Sequence, residues 1–150
     1  METILIVDDE PANLQILNSC LANDGLRVIF ATSGEMALER LEALEPDLII
    51  LDVYMPDIDG FDTYKLIRKK KNLRDIPVIF ISVSDDPQNV LKALDMKAVD
   101  YITKPFLPEE VSARVKNHLL INRLNKKIIS LEEQLAAEKE AHQSLKDSIS

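Results

Sequence analysis

Carboxylate side chains follow two of the most hydrophobic runs in the sequence. Asp8 and Asp9 come directly after ILIV at positions 4–7, and Asp52 closes the run LIIL at positions 48–51. A carboxylate is costly to bury unless a cation or a hydrogen-bond donor joins it. Carboxylates that lie close together also raise one another's pKa values unless a cation is present. The pattern therefore predicts an acidic pocket that holds a cation.

Two further polar side chains follow later hydrophobic runs, and they complete a possible phosphoryl site. Ser82 ends the run VIFIS, and Lys104 comes after YIT. Mg²⁺ usually takes one or two carboxylates and keeps several water molecules, so it suits such a pocket. A divalent ion, a hydroxyl and an ammonium group together stabilise the charged oxygens of a phosphoryl group. The residue types therefore indicate phosphoryl chemistry assisted by Mg²⁺.

The phosphoryl group need not belong to a nucleotide. The sequence contains only three glycines and neither G-x-x-x-x-G-K-[ST] nor G-x-G-x-x-G, which excludes a glycine-rich phosphate loop. An aspartate side chain can act as a nucleophile and carry the phosphoryl group as an acyl phosphate. Asp52 is the candidate for this role.

Short apolar runs alternate with segments of helical length, and this alternation predicts how the polar residues are positioned. The runs are unbroken, as in strands covered on both faces, and lie at 4–7, 28–31, 48–51, 78–81 and 101–102. Apolar residues between them recur at three- and four-residue spacing, as at Leu14, Leu17 and Leu21, and at Val90, Leu91 and Leu94. We expect a parallel sheet between helices, with ligands at the carboxyl ends of the strands.

Several residues indicate where the predicted helices begin. Ser33 and Asp86 are candidate N-caps, and three prolines suit first helical turns, namely Pro11, Pro87 and Pro108. The single cysteine, Cys20, excludes an internal disulfide and a thiolate zinc site. Because it lies between leucines of a predicted helix, we expect it in the core.

Charge divides the chain at about residue 120. The net charge is −8, and the residues from 121 onward carry equal numbers of acidic and basic side chains, so the whole excess belongs to residues 1–120. This charge argues against direct binding of nucleic acid or an anionic membrane. The sequence also has no apolar run of membrane-spanning length and no signal peptide pattern, so we expect a cytoplasmic protein.

Residues 121–150 continue the last helical pattern as a heptad repeat. Spacings of three and four alternate along the seam Ile121, Leu124, Ile128, Leu131, Leu135, Glu138, His142, Leu145 and Ile149. We expect a coiled-coil linker helix that joins two copies of the chain in a parallel homodimer. The alternative is one amphipathic helix folded back on its own domain. No helix stop signal precedes Ser150, so an output domain beyond it is also possible.

The sequence resembles the receiver domain of bacterial response regulators over about residues 1–120. Four motifs carry the resemblance in order and spacing: VDDE at 7–10, LDVYMPDIDG at 51–60, IFIS at 79–82 and DYITKPF at 100–106. The resemblance implies the flavodoxin-like (βα)5 fold, a doubly wound parallel α/β sheet with strand order 2-1-3-4-5. It also implies two-component phosphorelay signalling, with a sensor histidine kinase or phosphotransfer protein as phosphoryl donor.

The resemblance implies roles for residues of the acidic pocket. Asp52 is the phosphoacceptor, and it binds Mg²⁺ directly together with Asp9 and the backbone carbonyl oxygen of Tyr54. Asp8 contributes through a water molecule. On this reading the protein is no enzyme beyond its own Mg²⁺-dependent phosphorylation and dephosphorylation.

The remaining implied roles concern phosphoryl binding and switching. Ser82 and Lys104 hold phosphoryl oxygens, and the Lys104-Pro105 peptide bond is cis. Ser82 and Tyr101 form the switch: Tyr101 turns from exposed to buried and repacks the face made by helix 4, strand 5 and helix 5. Val83 departs from the family's small residue and is expected to crowd the phosphoryl pocket.

Other readings of the same residues remain open. A pseudo-receiver would serve only as a dimerisation scaffold, and a phosphatase of the haloacid dehalogenase type also uses a nucleophilic aspartate with Mg²⁺. The phosphatase class requires a second aspartate where this chain has Tyr54. We interpret Asp57, Asp59, Asp85 and Asp86 as turn or capping residues, and His118 and His142 as surface or seam residues.

Overall fold

Five short strands form one sheet in the computed structural model, which describes residues 1–149. The strands are β1 (Thr3–Val7), β2 (Arg27–Ala31), β3 (Leu48–Asp52), β4 (Val78–Ser82) and β5 (Asp100–Thr103). Their order is β2-β1-β3-β4-β5, and every pairing is parallel. The predicted fold and strand order are therefore confirmed.

A helix follows each strand. The helices are α1 (Pro11–Asn23), α2 (Gly34–Ala43), α3 (Gly60–Arg68), α4 (Pro87–Asp95) and α5 (Pro108–Ile149), with a 3-10 turn at Lys71–Leu73. The predicted N-caps are present, since Ser33 Oγ accepts a hydrogen bond from Met36 N and Asp86 Oδ1 accepts one from Gln88 N. Each cap satisfies a backbone N–H that the helix itself leaves unpaired.

The central strands are buried on both faces, as their unbroken apolar sequences predict. Every residue of β3 and β4 is buried. Alternate residues of the sheet, including Leu5, Val7 and Leu51, pack in one cluster with buried side chains of α2, α3 and α4. Leu14, Leu17 and Leu21 are the buried residues of α1, in agreement with their predicted spacing. The sheet thus provides a rigid base whose carboxyl edge carries the loops.

The predicted helix α4 is present, but its leucines are not the residues that it buries. Leu91 and Leu94 are 58% and 59% exposed, whereas Ala93 is the buried residue of this helix. A nine-residue helix buries a narrow stripe, and the stripe here runs through the small residue. The two leucines therefore lie on the solvent side.

Lys97 has an unusual backbone conformation, and Cys20 is less buried than predicted. Lys97 has a positive φ of 64°, so the turn before β5 tolerates a conformation that glycine would adopt without strain. Cys20 is half-buried rather than in the core, with its Sγ 3.3 Å from the carbonyl oxygen of Pro108. Burial raises the pKa of the Cys20 thiol.

The contacts between residues divide the chain into two units, Met1–His118 and a second unit that begins at Leu119. Over the described residues, 1–149, none of the helices combines the length and the apolar character needed to cross a membrane. The predicted boundary at residue 120 between a receiver domain and a linker helix remains a prediction.

Candidate functional site

The acidic residues meet because β1 and β3 are neighbours in the sheet. Val7 pairs with Leu51 in the register of the two strands, so Asp8 and Asp52 leave the same edge side by side. Carboxylate oxygens of Asp8, Asp9 and Asp52 all lie within 4.8 Å of one another. Asp8 and Asp52 are buried and Asp9 is exposed. The pocket therefore opens to solvent on the side of Asp9.

Lys104 joins the two buried carboxylates. Its Nζ lies 3.1 Å from Asp8 Oδ2 and 3.1 Å from Asp52 Oδ2, and 3.9 Å from Glu10 Oε1. Only 8% of the Lys104 side chain is exposed. The Lys104 N–H also donates to the carbonyl oxygen of Ser82 at 2.6 Å. The residue after β5 is thus fixed to the end of β4 while its ammonium group reaches the ends of β1 and β3.

Burial and like charge perturb the titration of this cluster. Burial, followed by repulsion from Asp8, raises the pKa of Asp52 to about 7, although Lys104 acts in the opposite direction. Burial works to lower the pKa of Lys104, but the carboxylates of Asp52 and Asp8 outweigh it and leave the pKa above its usual value. Lys104 therefore stays charged, and one ammonium group leaves the acidic cluster incompletely neutralised.

This donor set is compatible with Mg²⁺. The cluster offers only carboxylate oxygens, which are the ligands that hard divalent cations prefer. Backbone N–H groups orient two of the carboxylates: Glu10 N donates to Asp8 Oδ1 at 2.9 Å and Tyr54 N donates to Asp52 Oδ1 at 3.3 Å. A cation on the side of Asp9 would relieve the excess negative charge that Lys104 leaves.

The loop after β3 passes close to the site because of a glycine. A Cβ atom added at Gly60 would lie 2.2 Å from the carbonyl oxygen of Asp52 and 2.8 Å from Val53 Cα. Gly60 N donates to the carbonyl oxygen of Val53 at 2.8 Å, which closes the loop. The glycine of the MPDIDG motif thus permits a close approach of two backbone segments beside Asp52.

Ser82 and Tyr101 are connected through the loop after β4. Ser82 is fully buried at the end of β4, and its Oγ accepts a hydrogen bond from Ser84 N at 3.1 Å. The Tyr101 hydroxyl donates to the carbonyl oxygen of Ser84 at 2.6 Å. Tyr101 is half-buried, and burial raises its pKa. Val83 is 63% exposed.

Two asparagines near the site were not predicted from the sequence. The side-chain amide of Asn13 donates to Glu10 Oε2 at 2.9 Å and to Asp8 Oδ2 at 3.4 Å. The amide of Asn89 donates to the hydroxyl of Tyr54 at 2.8 Å, linking α4 to the loop after β3. The sequence signal available for Asn13 was its position three residues after Glu10, because side chains at this spacing are neighbours on the surface of a helix.

Most of the residues interpreted as structural have structural roles. Asp59 Oδ1 accepts a hydrogen bond from Asp62 N and caps α3, and Asp57 has a positive φ of 69°. Asp86 caps α4. The Lys104-Pro105 peptide bond is cis, as the resemblance implies.

His118 is not the surface residue that the sequence analysis predicted. Its Nε2 lies 3.0 Å from Asp100 Oδ2, and only 13% of the His118 side chain is exposed. Arg114 NH1 binds the other oxygen of Asp100 at 2.6 Å. Burial acts to raise the pKa of Asp100, but the hydrogen bonds from His118, Tyr101 N–H and Arg114 hold it below its usual value. The pairing of His118 with Asp100 could not be inferred from the sequence, because 18 residues separate the two.

A doubly wound parallel sheet with an acidic pocket at its carboxyl edge defines a flavodoxin-like α/β protein. The chain belongs to the response regulator receiver domain family, whose sequence profile matches residues 4–116. The long helix α5 extends beyond the matched region.

The chain is similar to both curated and structurally characterised members of this family. It is 42% identical over 113 residues to the alkaline phosphatase synthesis transcriptional regulatory protein PhoP of Bacillus subtilis (strain 168), which covers 75% of this chain and 46% of that protein. The signal receiver domain of a signal transduction histidine kinase from Syntrophus aciditrophicus is 35% identical, with a TM-score of 0.73 and coverage of 79% of this chain and 90% of that one.

A second solved structure, the BeF3-activated DrrB receiver domain, is 33% identical with a TM-score of 0.72. The match covers 79% of this chain and 96% of that one. The chain spans about half the length of the curated relatives it matches.

Proposed function

We propose that the protein is a phosphorylation-dependent response regulator that accepts a phosphoryl group on Asp52. The observation that carries this proposal is the position of Lys104 Nζ, 3.1 Å from both buried carboxylates, beside the exposed Asp9. Membership of the receiver family supports the same assignment. Asp9, Asp52 and the carbonyl oxygen of Tyr54 are the proposed direct ligands of Mg²⁺, with Asp8 acting through water.

The proposed reaction moves a phosphoryl group from a histidine of a sensor kinase or phosphotransfer protein. A carboxylate oxygen of Asp52 attacks phosphorus, the bond between phosphorus and the donor imidazole breaks, and the imidazole nitrogen keeps the electron pair. When bound, Mg²⁺ would neutralise negative charge on the phosphoryl oxygens. The ammonium group of Lys104 contributes a positive charge that is already positioned at the site, because Asp8 and Asp52 hold it there.

The phosphoryl group is proposed to change the surface through Ser82 and Tyr101. A new dianion on Asp52 attracts the hydroxyl of Ser82, which lies on the neighbouring strand. The Ser82 hydroxyl accepts a hydrogen bond from Ser84 N, and the Ser84 carbonyl oxygen accepts one from the Tyr101 hydroxyl. A shift of Ser82 therefore moves the loop after β4 as a unit. Tyr101 then favours its buried position and the face of α4, β5 and α5 repacks. About 5.5 kcal/mol of differential interaction would convert such an equilibrium almost completely.

The proposed output passes through the carboxyl-terminal helix. We assign residues 1–120 to the receiver domain and residues 121–150 to a coiled-coil linker that makes a parallel homodimer. Because the curated relatives are about twice as long, an output domain after this helix is part of the proposal. Receiver domains of this family are generally not enzymes, and a cytoplasmic location fits the proposed partners.

Intact mass after incubation with acetyl phosphate and Mg²⁺ tests the proposal. The parent chain should gain one phosphoryl group, and Asp52→Asn should gain none because its side chain is not a nucleophile. Asp57→Asn is the matched control, since it makes the same chemical change at an aspartate in a left-handed loop position that asparagine also adopts. It should be labelled like the parent.

The same experiment tests the alternative of a pseudo-receiver. Absence of an adduct on the parent chain, in the presence of Mg²⁺, would favour a pseudo-receiver that serves only as a dimerisation scaffold. Beryllofluoride, used in place of acetyl phosphate, should change tyrosine fluorescence in the parent but not in Tyr101→Phe if Tyr101 is the switch residue. An equal change in both proteins would remove Tyr101 from the proposed relay.

A further inference from the structure

A row of apolar side chains runs along the second unit without cover from the chain itself. Seven seam residues are each between 44% and 78% exposed, namely Ile121, Leu124, Ile128, Leu131, Leu135, Leu145 and Ile149. The unit that contains them is helical to Ile149. An apolar stripe of this kind on a helix requires a partner surface, because its exposure to water is unfavourable.

The residue types along the seam indicate two parallel strands. In the heptad, the a positions are Ile121, Ile128, Leu135, His142 and Ile149, and the d positions are Leu124, Leu131, Glu138 and Leu145. Isoleucine at a with leucine at d favours parallel dimers over higher oligomers. The partner that fits this face is therefore a second copy of the same helix.

The two polar seam residues also bear on the relative direction of the two helices. In a parallel dimer each a residue meets the same a residue and each d residue the same d residue, so Glu138 and His142 occupy two adjacent polar layers. An antiparallel dimer places a residues against d residues. The antiparallel alignment that pairs Glu138 with His142 overlaps only over residues 131–149 and leaves three apolar layers uncovered, and the alignments with more overlap bury both polar residues against apolar ones. The parallel arrangement covers every apolar layer.

Charge flanking the seam is consistent with the parallel arrangement. Lys127 occupies a g position and Glu132 the e position five residues later. Parallel coiled coils bring g of one helix next to the following e of the other, so each dimer gains this attraction twice. Both residues are exposed within one chain and free of the apolar seam.

We propose that residues 121–149 form a parallel two-stranded coiled coil in which Glu138 and His142 fix the register and divide the coil into two parts. The part up to Leu135 is apolar in every layer and holds the dimer together. The part after it is weakened by two polar layers. A slip of one heptad would place Glu138 against a leucine of the other copy, so the polar layers select a single register.

The inference rests on the proposed homodimer but not on phosphorylation of Asp52.

Cross-linking of the full chain tests the direction and the register. In a Cys20→Ser background, Ile128→Cys should cross-link to itself with a short bis-maleimide, whereas Ser130→Cys, on the outer face of the helix, should not. A mixture of Leu124→Cys and His142→Cys proteins should give no mixed product. Absence of a cross-link at Ile128→Cys would overturn the inference, and a product from the mixture would then show an antiparallel dimer.

Sedimentation equilibrium tests the role of the polar layers. The double variant Glu138→Leu/His142→Ile should lower the dimer Kd by about tenfold or more, because two polar layers become apolar. Glu133→Leu makes a similar change on the outer face and should leave the Kd close to that of the parent. Equal effects of the two variants would refute the assigned heptad. Acetyl phosphate labelling of the same proteins reports separately on Asp52.

Discussion

At the scale of the residue, the proposed metal site brings buried carboxylates together at a cost in stability. Asp8 and Asp52 lie beside each other with one ammonium group between them, and Asp9 adds a further carboxylate. Functional sites often store an unfavourable interaction that the bound partner relieves. Here the unfavourable interaction is the repulsion among carboxylates, and a divalent cation would relieve it.

Replacement of Asp52 should therefore stabilise the protein without Mg²⁺. Because the folded-state pKa of Asp52 is raised to about 7, its contribution to stability is present below the unfolded-state pKa and is lost as the pH rises through 7. Asp52→Asn avoids this loss, and we expect it to be about 1 to 3 kcal/mol more stable than the parent at pH 8, with little difference near pH 4. Urea unfolding at both pH values measures the change.

Mg²⁺ provides the control for this prediction. It should raise the melting temperature of the parent more than that of Asp52→Asn, since a ligand stabilises the form that binds it. A parent more stable than the variant at pH 8 without Mg²⁺ would contradict the stored repulsion.

At the scale of the element, short loops place each strand end against the next helix. Gly60 begins α3 directly above the backbone of β3, and Pro11 begins α1 soon after β1. The loops therefore have little freedom to move the carboxylates that they carry. Helix α1 is in turn tied to the start of α5, because Ser112 and Lys116 both bind Asp24 at its carboxyl end.

Gly60→Ala should damage the site and the fold together. The added methyl group would overlap the carbonyl oxygen of Asp52, so we expect a loss of about 2 to 4 kcal/mol in unfolding free energy and slower labelling by acetyl phosphate. Gly25→Ala is the control, because its φ is +79° but no atom lies within 4 Å of the added Cβ. It should cost only about 1 kcal/mol and leave the labelling rate unchanged. Equal effects of the two variants would argue against the steric explanation.

Ser112→Ala should weaken the link between α1 and α5 in a pH-dependent way. The hydrogen bond from Ser112, together with Lys116, lowers the pKa of Asp24. A lowered pKa contributes stability above the unfolded-state value, and this stability is lost as the pH falls through the folded-state value. We expect the variant to be about 1 kcal/mol less stable than the parent at pH 7. The difference should shrink under acidic conditions in urea titrations.

Ser19→Ala provides the comparison, because it makes the same chemical change at an exposed serine of α1. It should unfold like the parent at both pH values. A loss for Ser112→Ala that stays constant with pH would assign the effect to packing instead of to the charge of Asp24.

At the scale of the whole molecule, the chain combines an acidic unit with an electrically balanced helix. All of the net charge of −8 lies in residues 1–120. The exposed apolar seam lies entirely in the second unit. The proposed phosphoryl chemistry and the proposed dimerisation thus belong to separate parts of the chain.

A chain that ends at Leu120 should keep the phosphoryl chemistry and lose the dimer. We expect it to be labelled by acetyl phosphate at the rate of the full chain, because every residue of the proposed site lies between Asp8 and Lys104. Size-exclusion chromatography with light scattering should show a monomer. A dimeric product of this length would assign dimerisation to the first unit and reject the proposed linker.

The sequence by itself determined the elements and the types of groups at the strand ends. Unbroken runs such as LIIL predict strands covered on both faces, because apolar side chains on alternating sides both need burial. Caps such as Ser33 mark helix starts for an equally local reason. Local hydrogen bonding and hydrophobic pattern act over a few residues, so they can be read along the chain.

Only the tertiary structure decided which groups meet. The 3.1 Å contacts of Lys104, the pairing of His118 with Asp100 and the exposure of Leu91 depend on residues distant in sequence. The resemblance implied that Lys104 serves the site, but not that it bridges both buried carboxylates. Contact, burial and charge coupling depend on distances in space, and those are set when strands and helices pack around a common core.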